Sequence, residues 1–136
     1  MRLISQITVF LENQPGTMAK VCRLMKENNI NIDAFTLFGT VDHGVLRMVV
    51  DRCDSAVDVL GRCGLLAIKS NVIEVLVKNA PGVLFEISEL LSSEDVNIEY
   101  GYGSTGDCSG GDRLYLQASE NDKALEILEK NLCLEK

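Results

Sequence analysis

The sequence has no tryptophan, two prolines and a single histidine, His43, which sits in an Asp-His-Gly stretch that reads as a surface turn. One histidine cannot supply a pair of imidazole metal ligands. Nor can a Cys-His nucleophile with a third orienting residue be assembled around it, so neither a metal, a cofactor nor an enzyme is expected. Carboxylates are plentiful, but Glu86, Glu89, Glu126 and Glu129 fall at helical spacing, where a solvated face accounts for them. The five cysteines, Cys22, Cys53, Cys63, Cys108 and Cys133, are odd in number and form no C-x-x-C pair. That favours reduced thiols over a disulfide framework and a cytoplasmic location, with Cys108 the thiol most worth a reactivity test. No apolar run approaches the ~20 residues that span a bilayer, and the first six residues are too short and too polar for a signal peptide, so no membrane is expected. The 13 lysines and arginines are scattered in a chain of net charge −7, which leaves no basic stripe for nucleic acid.

What is present is enough apolar residue, 46% of the chain, to build a core, and 24% charged residue to keep it soluble. The 136 residues also repeat. Displaced by 66, residues 7–32 superpose on 73–98 with eight identities in 26 positions: Ile7/Ile73, Val9/Val75, Asn13/Asn79, Pro15/Pro81, Gly16/Gly82, Leu24/Leu90, Asn31/Asn97 and Ile32/Ile98. Composition alone would give one or two. After a two-residue insertion the register resumes at 68, aligning Leu46, Met48 and Val50 with Leu114, Leu116 and Ala118. The chain is a duplication, with domains expected at 1–70 and 71–136.

Within each copy the hydrophobic period separates strand from helix. Ile7, Val9 and Leu11, like Ile73, Val75 and Val77, alternate at period two as a half-buried strand does. Met18, Val21, Leu24 and Met25, and then Leu84, Ile87, Leu90 and Leu91, recur at three-to-four spacing as an amphipathic helix. Further strands start near Ile30 and Val96 and around Leu46 and Leu114. Second helices follow Asp54 and Asn121 or Asp122 as N-caps, and a fourth strand covers 65–69, joined to the second copy by residues 69–71. The order β-α-β-β-α-β is the ferredoxin-like plan, so the fold class is α+β: two tandem modules, each an antiparallel sheet with helices on one face. After the last helix of the second copy only residues 132–136 remain. Its closing strand is therefore truncated, and the bare neighbouring edge gives a reason to expect a homodimer.

The most specific local feature is the repeated strand-to-helix junction, Asn13-Gln14-Pro15-Gly16-Thr17-Met18 and Asn79-Ala80-Pro81-Gly82-Val83-Leu84. Proline is expected at the first helical position, with Gln14 and Ala80 where a capping side chain would stand. Neither caps well, which leaves the first-turn N–H groups for an outside anion such as a carboxylate. A downstream Asn-Ile, Asn31-Ile32 and Asn97-Ile98, recurs with the junction, and packing alone would hold apolar positions more readily than polar ones.

The module of ~65 residues, the N-x-P-G entry to its first helix and the N-I at its second strand resemble the ACT domain family, over 7–70 and 72–131. The resemblance implies a regulatory module that senses a small molecule, an amino acid above all, and acts on a partner enzyme of amino-acid metabolism. It resembles more distantly the small regulatory subunits of acetolactate synthase. By similarity the ligand lies where such units pair edge to edge, between the first loop of one and the second strand of the next. Carried over by position, this implicates Asn13, Gln14, Pro15, Gly16, Thr17, Met18, Asn31 and Ile32, and Asn79, Pro81, Gly82, Val83, Leu84, Asn97 and Ile98. Asparagine suits the role, since its amide donates to a carboxylate and accepts from an ammonium. The alternative is a ligand-free assembly or dimerisation module in which the Pro-Gly turns are structural. The glycine-rich residues 101–112 lack a Gly-Lys-Ser/Thr signature and read as a hairpin loop rather than a phosphate cradle.

Overall fold

The computed structural model describes residues 1–78, 80–104 and 111–132. The elements run β1 (Arg2–Glu12), α1 (Thr17–Glu27), β2 (Ile32–Gly39), β3 (His43–Val50), α2 (Cys53–Arg62), β4 (Leu66–Val77), α3 (Val83–Ser93), β5 (Ile98–Ser104), β6 (Asp112–Ala118) and α4 (Asn121–Asn131). No helix is long and apolar enough to cross a membrane among the described residues.

The chain divides into two compact units, Ser5–Ser70 and Asn71–Lys136 together with Met1–Ile4. In the first, the strand order is β2, β3, β1, β4. Strand β3 is antiparallel to both neighbours, with Val9 opposite Leu46 and Leu37 opposite Leu46. Ile7, Val9, Leu11, Leu46 and Met48 point to one face and are buried with Val21 and Met25 of α1 and Ala56 and Leu60 of α2. Alternation sends Thr8, Phe10, Val45 and Arg47 to the other, open face. The second unit repeats this plan. Ile73, Val75, Val77 and Leu116 meet Ile87 and Leu91 of α3 and Ala124 and Leu128 of α4.

The segment of residues 69–71 is no linker. Lys69, Ser70 and Asn71 lie inside the unbroken strand β4. The helix caps also differ from expectation. Helix α2 starts at Cys53 after Arg52, with Asp54 in its first turn, and Asn121 is the first residue of α4. The Asn121 side chain instead joins backbone to backbone, its Oδ1 accepting from the Ala118 N–H at 2.9 Å and its Nδ2 donating to the Asn71 carbonyl at 3.1 Å.

The short closing strand expected in the second copy falls on residues 133–136, outside the described residues. Its place beside β4 in the second unit is held by the start of β1. Arg2 Nε donates to Glu74 Oε1 at 3.0 Å, and within the first unit Gln6 Nε2 donates to Ser70 Oγ at 3.2 Å. Met1 and Leu3, on the helix-facing side, pack against the second core, as Leu65 and Ala67 pack against the first. The edge expected to be bare is therefore bordered, and the case for dimerisation from a bare edge falls away. Leu3→Ala should lower the stability of the protein by about 1–2 kcal/mol in urea unfolding, the cost of removing a half-buried aliphatic side chain. An unchanged midpoint would mean that this segment adds nothing to the second core.

Candidate functional site

Each β-to-α junction turns on its glycine. Gly16 (φ +92°) and Gly82 (φ +94°) are the N-caps of α1 and α3, so the prolines stand one residue before the cap and not at the first helical position. A β-carbon on either glycine would meet nothing within 4 Å, so the requirement for glycine is one of backbone conformation alone. Neither helix has a side-chain cap; the Thr17 and Val83 N–H groups donate back to Gln14 O and Ala80 O at 3.4 Å, and the cap carbonyls accept next, from Lys20 N–H at 3.0 Å and Glu86 N–H at 2.9 Å. The first turn of α1 carries no acidic side chain, whereas α3 carries Glu86 there, so the N-terminus of α1 attracts an anion more strongly.

In the first copy this junction is fastened from within. Asn13 Nδ2 donates to the Thr40 carbonyl at 2.5 Å and the Asn13 N–H to Asp42 O at 3.1 Å, tying the loop to the turn between β2 and β3. Gly39 packs its Cα hydrogen side against the same amide. Thr17 Oγ1 donates within the loop, 3.0 Å from Glu12 O and 3.1 Å from Gln14 O. Gln14 and Pro15 are exposed and Met18 is half-buried against the first core. In the second copy Val83 replaces Thr17 and packs into the second core instead, beside exposed Pro81 and Leu84. Asn79 lies outside the described residues.

Asn31 and Ile32 stand at the far end of the first sheet. Ile32 is opposite Val50 and Gly39 opposite Gly44, so the length of β2, roughly 23 Å at 3.3 Å per residue, separates Asn31 from Asn13 within one unit. The second strand of each copy shifts register by one residue at the same place, between Ile32 and Ala34 and between Ile98 and Tyr100. Just before it, a two-bond clasp recurs. The Asn31 N–H donates to Asp51 Oδ1 (3.0 Å) and the Asp51 N–H to Asn31 O (3.2 Å); the Asn97 N–H donates to Ser119 Oγ (3.1 Å) and the Ser119 N–H to Asn97 O (2.8 Å). Asp51 and Ser119 are not identical in the repeat, so identity counting passes them over; their shared offset of 68 from one copy to the next is the signal that marks them.

The two asparagine side chains differ. Asn31 Nδ2 is spent on Asp33 Oδ1 at 2.7 Å. The Asn97 side chain has no hydrogen-bond partner among the described residues and borders a depression of about 370 Å³ lined also by Ser88, Ser92, Asp95, Val96 and Ile98. In the first copy the positions of Ser88 and Ser92 hold the larger Cys22 and Lys26. The second unit thus gathers an amide, two hydroxyls and a carboxylate around a space of amino-acid size.

The family model for an ACT domain pair matches residues 2–134. The chain belongs to the ACT domain family. As a tandem pair its fold is shared with protein BT0572 from Bacteroides thetaiotaomicron, at 29% identity and a TM-score of 0.88 over 94% of this chain and 88% of that one. It is also similar to the regulatory subunits of aspartate kinase from Thermus thermophilus in its ligand-free form (20% identity, TM-score 0.67, covering 96% of this chain and 95% of that one) and from Thermus flavus (18%, 0.62, 95% and 94%). No curated protein matches significantly.

The Cys53 thiol is pushed up by burial, against the pull of the Lys69 ammonium, which makes it a poor nucleophile at neutral pH. His43, the first residue of β3, is exposed. Residues 105–110 of the glycine-rich stretch, with Cys108, lie outside the described residues.

Two predictions test the junctions of this ACT pair. Gly16→Ala and Gly82→Ala should each cost about 1–2 kcal/mol of stability, since alanine is strained at such φ values. Equal unfolding midpoints would show that the junctions relax without cost. Asn13→Ala and Thr17→Val should each cost about 1 kcal/mol of ligand-free stability by breaking the loop bonds. If both variants melt like the parent, those bonds do not hold the junction.

Proposed function

We propose that this ACT pair is a non-catalytic regulatory module that binds a small amino-acid-like zwitterion in its second unit and modulates a partner enzyme of amino-acid metabolism. The observation that carries this reading is the depression at Asn97. Its free amide and the Ser88 and Ser92 hydroxyls are donors suited to a carboxylate, and the Asp95 carboxylate is an acceptor suited to an ammonium. The backbone of Asn97 is pinned by the Ser119 clasp, so its side chain is presented from a rigid support. Among similar proteins, the Thermus regulatory subunits of aspartate kinase support the regulatory assignment.

A specific observation favours a different role for the first unit. There Asn13 and Thr17 close the loop and Asn31 is engaged by Asp33, the arrangement expected of an assembly module whose turns are structural. The two units are thus proposed to be unequal, the second binding and the first scaffolding. Ligand could act only through a difference in affinity between arrangements of the protein, which the partner enzyme then reads.

A thermal-shift screen of the twenty amino acids tests the reading, because a ligand at 100 times its dissociation constant adds about 2.7 kcal/mol to a two-state fold. Asn97→Ala should then weaken the best ligand by about 1–3 kcal/mol in calorimetry and leave ligand-free melting unchanged. Ser92→Lys, which copies the first unit, should also weaken it. A screen without any shift, or an Asn97→Ala variant of full affinity, would defeat the proposal.

A further inference from the structure

The excess negative charge of the chain lies wholly in its second unit. Residues 5–70 hold seven Lys and Arg against seven Asp and Glu, whereas residues 1–4 and 71–136 hold six against thirteen, which leaves 0 for the first unit and −7 for the second. Helix α3 has no Lys or Arg at all. Its outer side carries Gly82, Phe85, Glu86, Glu89, Leu90 and Ser93, at the three-to-four spacing of one helical face, and these residues line a depression of about 450 Å³. The stripe runs roughly 16 Å along the helix at 1.5 Å per residue. Phe85 is 70% exposed there, and Glu86 and Glu89 have no ion-pair or hydrogen-bond partner among the described residues. Acids on the other helices are paired within their own helix, Asp58 with Arg62 on α2 and Glu126 with Lys130 on α4.

Helix α1 packs on its own sheet without these features. It buries Val21 and Met25 as α3 buries Ile87 and Leu91, yet at the offset of 66 it has Ala19 for Phe85, Lys20 for Glu86 and Arg23 for Glu89. The scaffold therefore demands neither the aromatic nor the two acids, which repel each other three residues apart on one face. We propose that this face of α3 receives a basic amphipathic helix of a partner protein, with an apolar side chain seated between Phe85 and Leu90 and lysines or arginines paired to Glu86 and Glu89. An exposed aromatic flanked by unpaired charge of one sign is the anchor and rim that such a helix needs. The occupant is a helix because the face is itself helical and offers no free main-chain groups, so an extended segment would leave its own backbone unpaired. An anionic membrane or a nucleic acid is repelled by the same charge. A second copy of the chain could bring Lys20, Arg23 and Lys26 of α1, but Ala19 lies beside them where an apolar anchor is required, and Val21 and Met25 are already buried.

The inference rests on the regulatory reading only in taking the partner to be the regulated enzyme, and its test uses the full chain without added amino acid. The probe is a fluorescein-labelled synthetic peptide of about 18 leucines and lysines patterned with one apolar helical face, followed by anisotropy. It should bind at micromolar concentration, and a scrambled peptide of the same composition should bind at least ~10-fold more weakly. Phe85→Ala and Glu89→Arg, which copy the first unit, should each weaken the patterned peptide by at least ~10-fold. Glu129→Arg makes the same change of charge at an exposed position on α4 and should bind like the parent. If either α3 variant loses the parental circular dichroism, Glu89→Gln carries the test, with a ~3-fold weakening expected. No binding at high micromolar concentration, or Phe85→Ala and Glu89→Arg at full affinity, would overturn the proposal. So would an equal loss in Glu129→Arg, which would reduce the effect to general attraction by an acidic unit. Self-association of the chain that Glu89→Arg abolishes would overturn it too, by making a second copy the occupant. Peptide binding by a chain that no amino acid stabilises would defeat the ligand reading alone, and failure of the peptide would leave that reading standing.

Discussion

A strand beside β4 is the constraint on which each unit depends. In the second unit Arg2 meets Glu74, and in the first Gln6 meets Ser70. A module of about 65 residues buries a marginal fraction of its surface, and a missing sheet strand would leave both apolar side chains and backbone groups uncovered. In the second unit Met1 and Leu3 provide that cover. The first unit draws its fourth strand from its own sequence, through Leu65 and Ala67.

The duplication then diverges in what it does with the same scaffold. Both copies keep a positive-φ glycine cap, a register shift in the second strand and a two-bond clasp at the asparagine just before that shift. These are backbone requirements, and they tolerate change of side chain wherever another group supplies the same bond, as Ser119 does for Asp51. What differs is the polar side chains left over. The first copy spends Asn13, Thr17 and Asn31 on its own structure, while the second leaves Asn97 without a partner beside two serines and Asp95. Binding capacity follows from that surplus rather than from the motif itself.

The strands, the helices and the tandem plan were legible because apolar spacing reports burial directly: Val9 and Leu46, and Val75 and Leu116, lie on the faces that their period-two patterns predict. The role of Pro-Gly was harder to read, since sequence alone does not say whether proline or glycine occupies the helix boundary, and only the φ of Gly16 and Gly82 decides it. The closure of the second sheet was hidden by distance along the chain. Met1 and Leu3 are in phase with Ile7, Val9 and Leu11, but the repeat begins at Ile7 and leaves them outside it. Asn31 and Asn97 look equivalent as recurring asparagines, and their different side-chain states arise from Asp33 in one case and from the absence of a described partner in the other.

Amide hydrogen exchange tests the cover of the second unit by the start of β1 most directly. Met1–Ile4 sits in the second unit, paired to β4, so the amides of Leu3 and Ile4 should exchange at the slow rate of Val75 and Leu116 in the second core, through the same opening. Exchange of Leu3 and Ile4 at the rate of an unstructured chain, while Val75 and Leu116 remain protected, would contradict it.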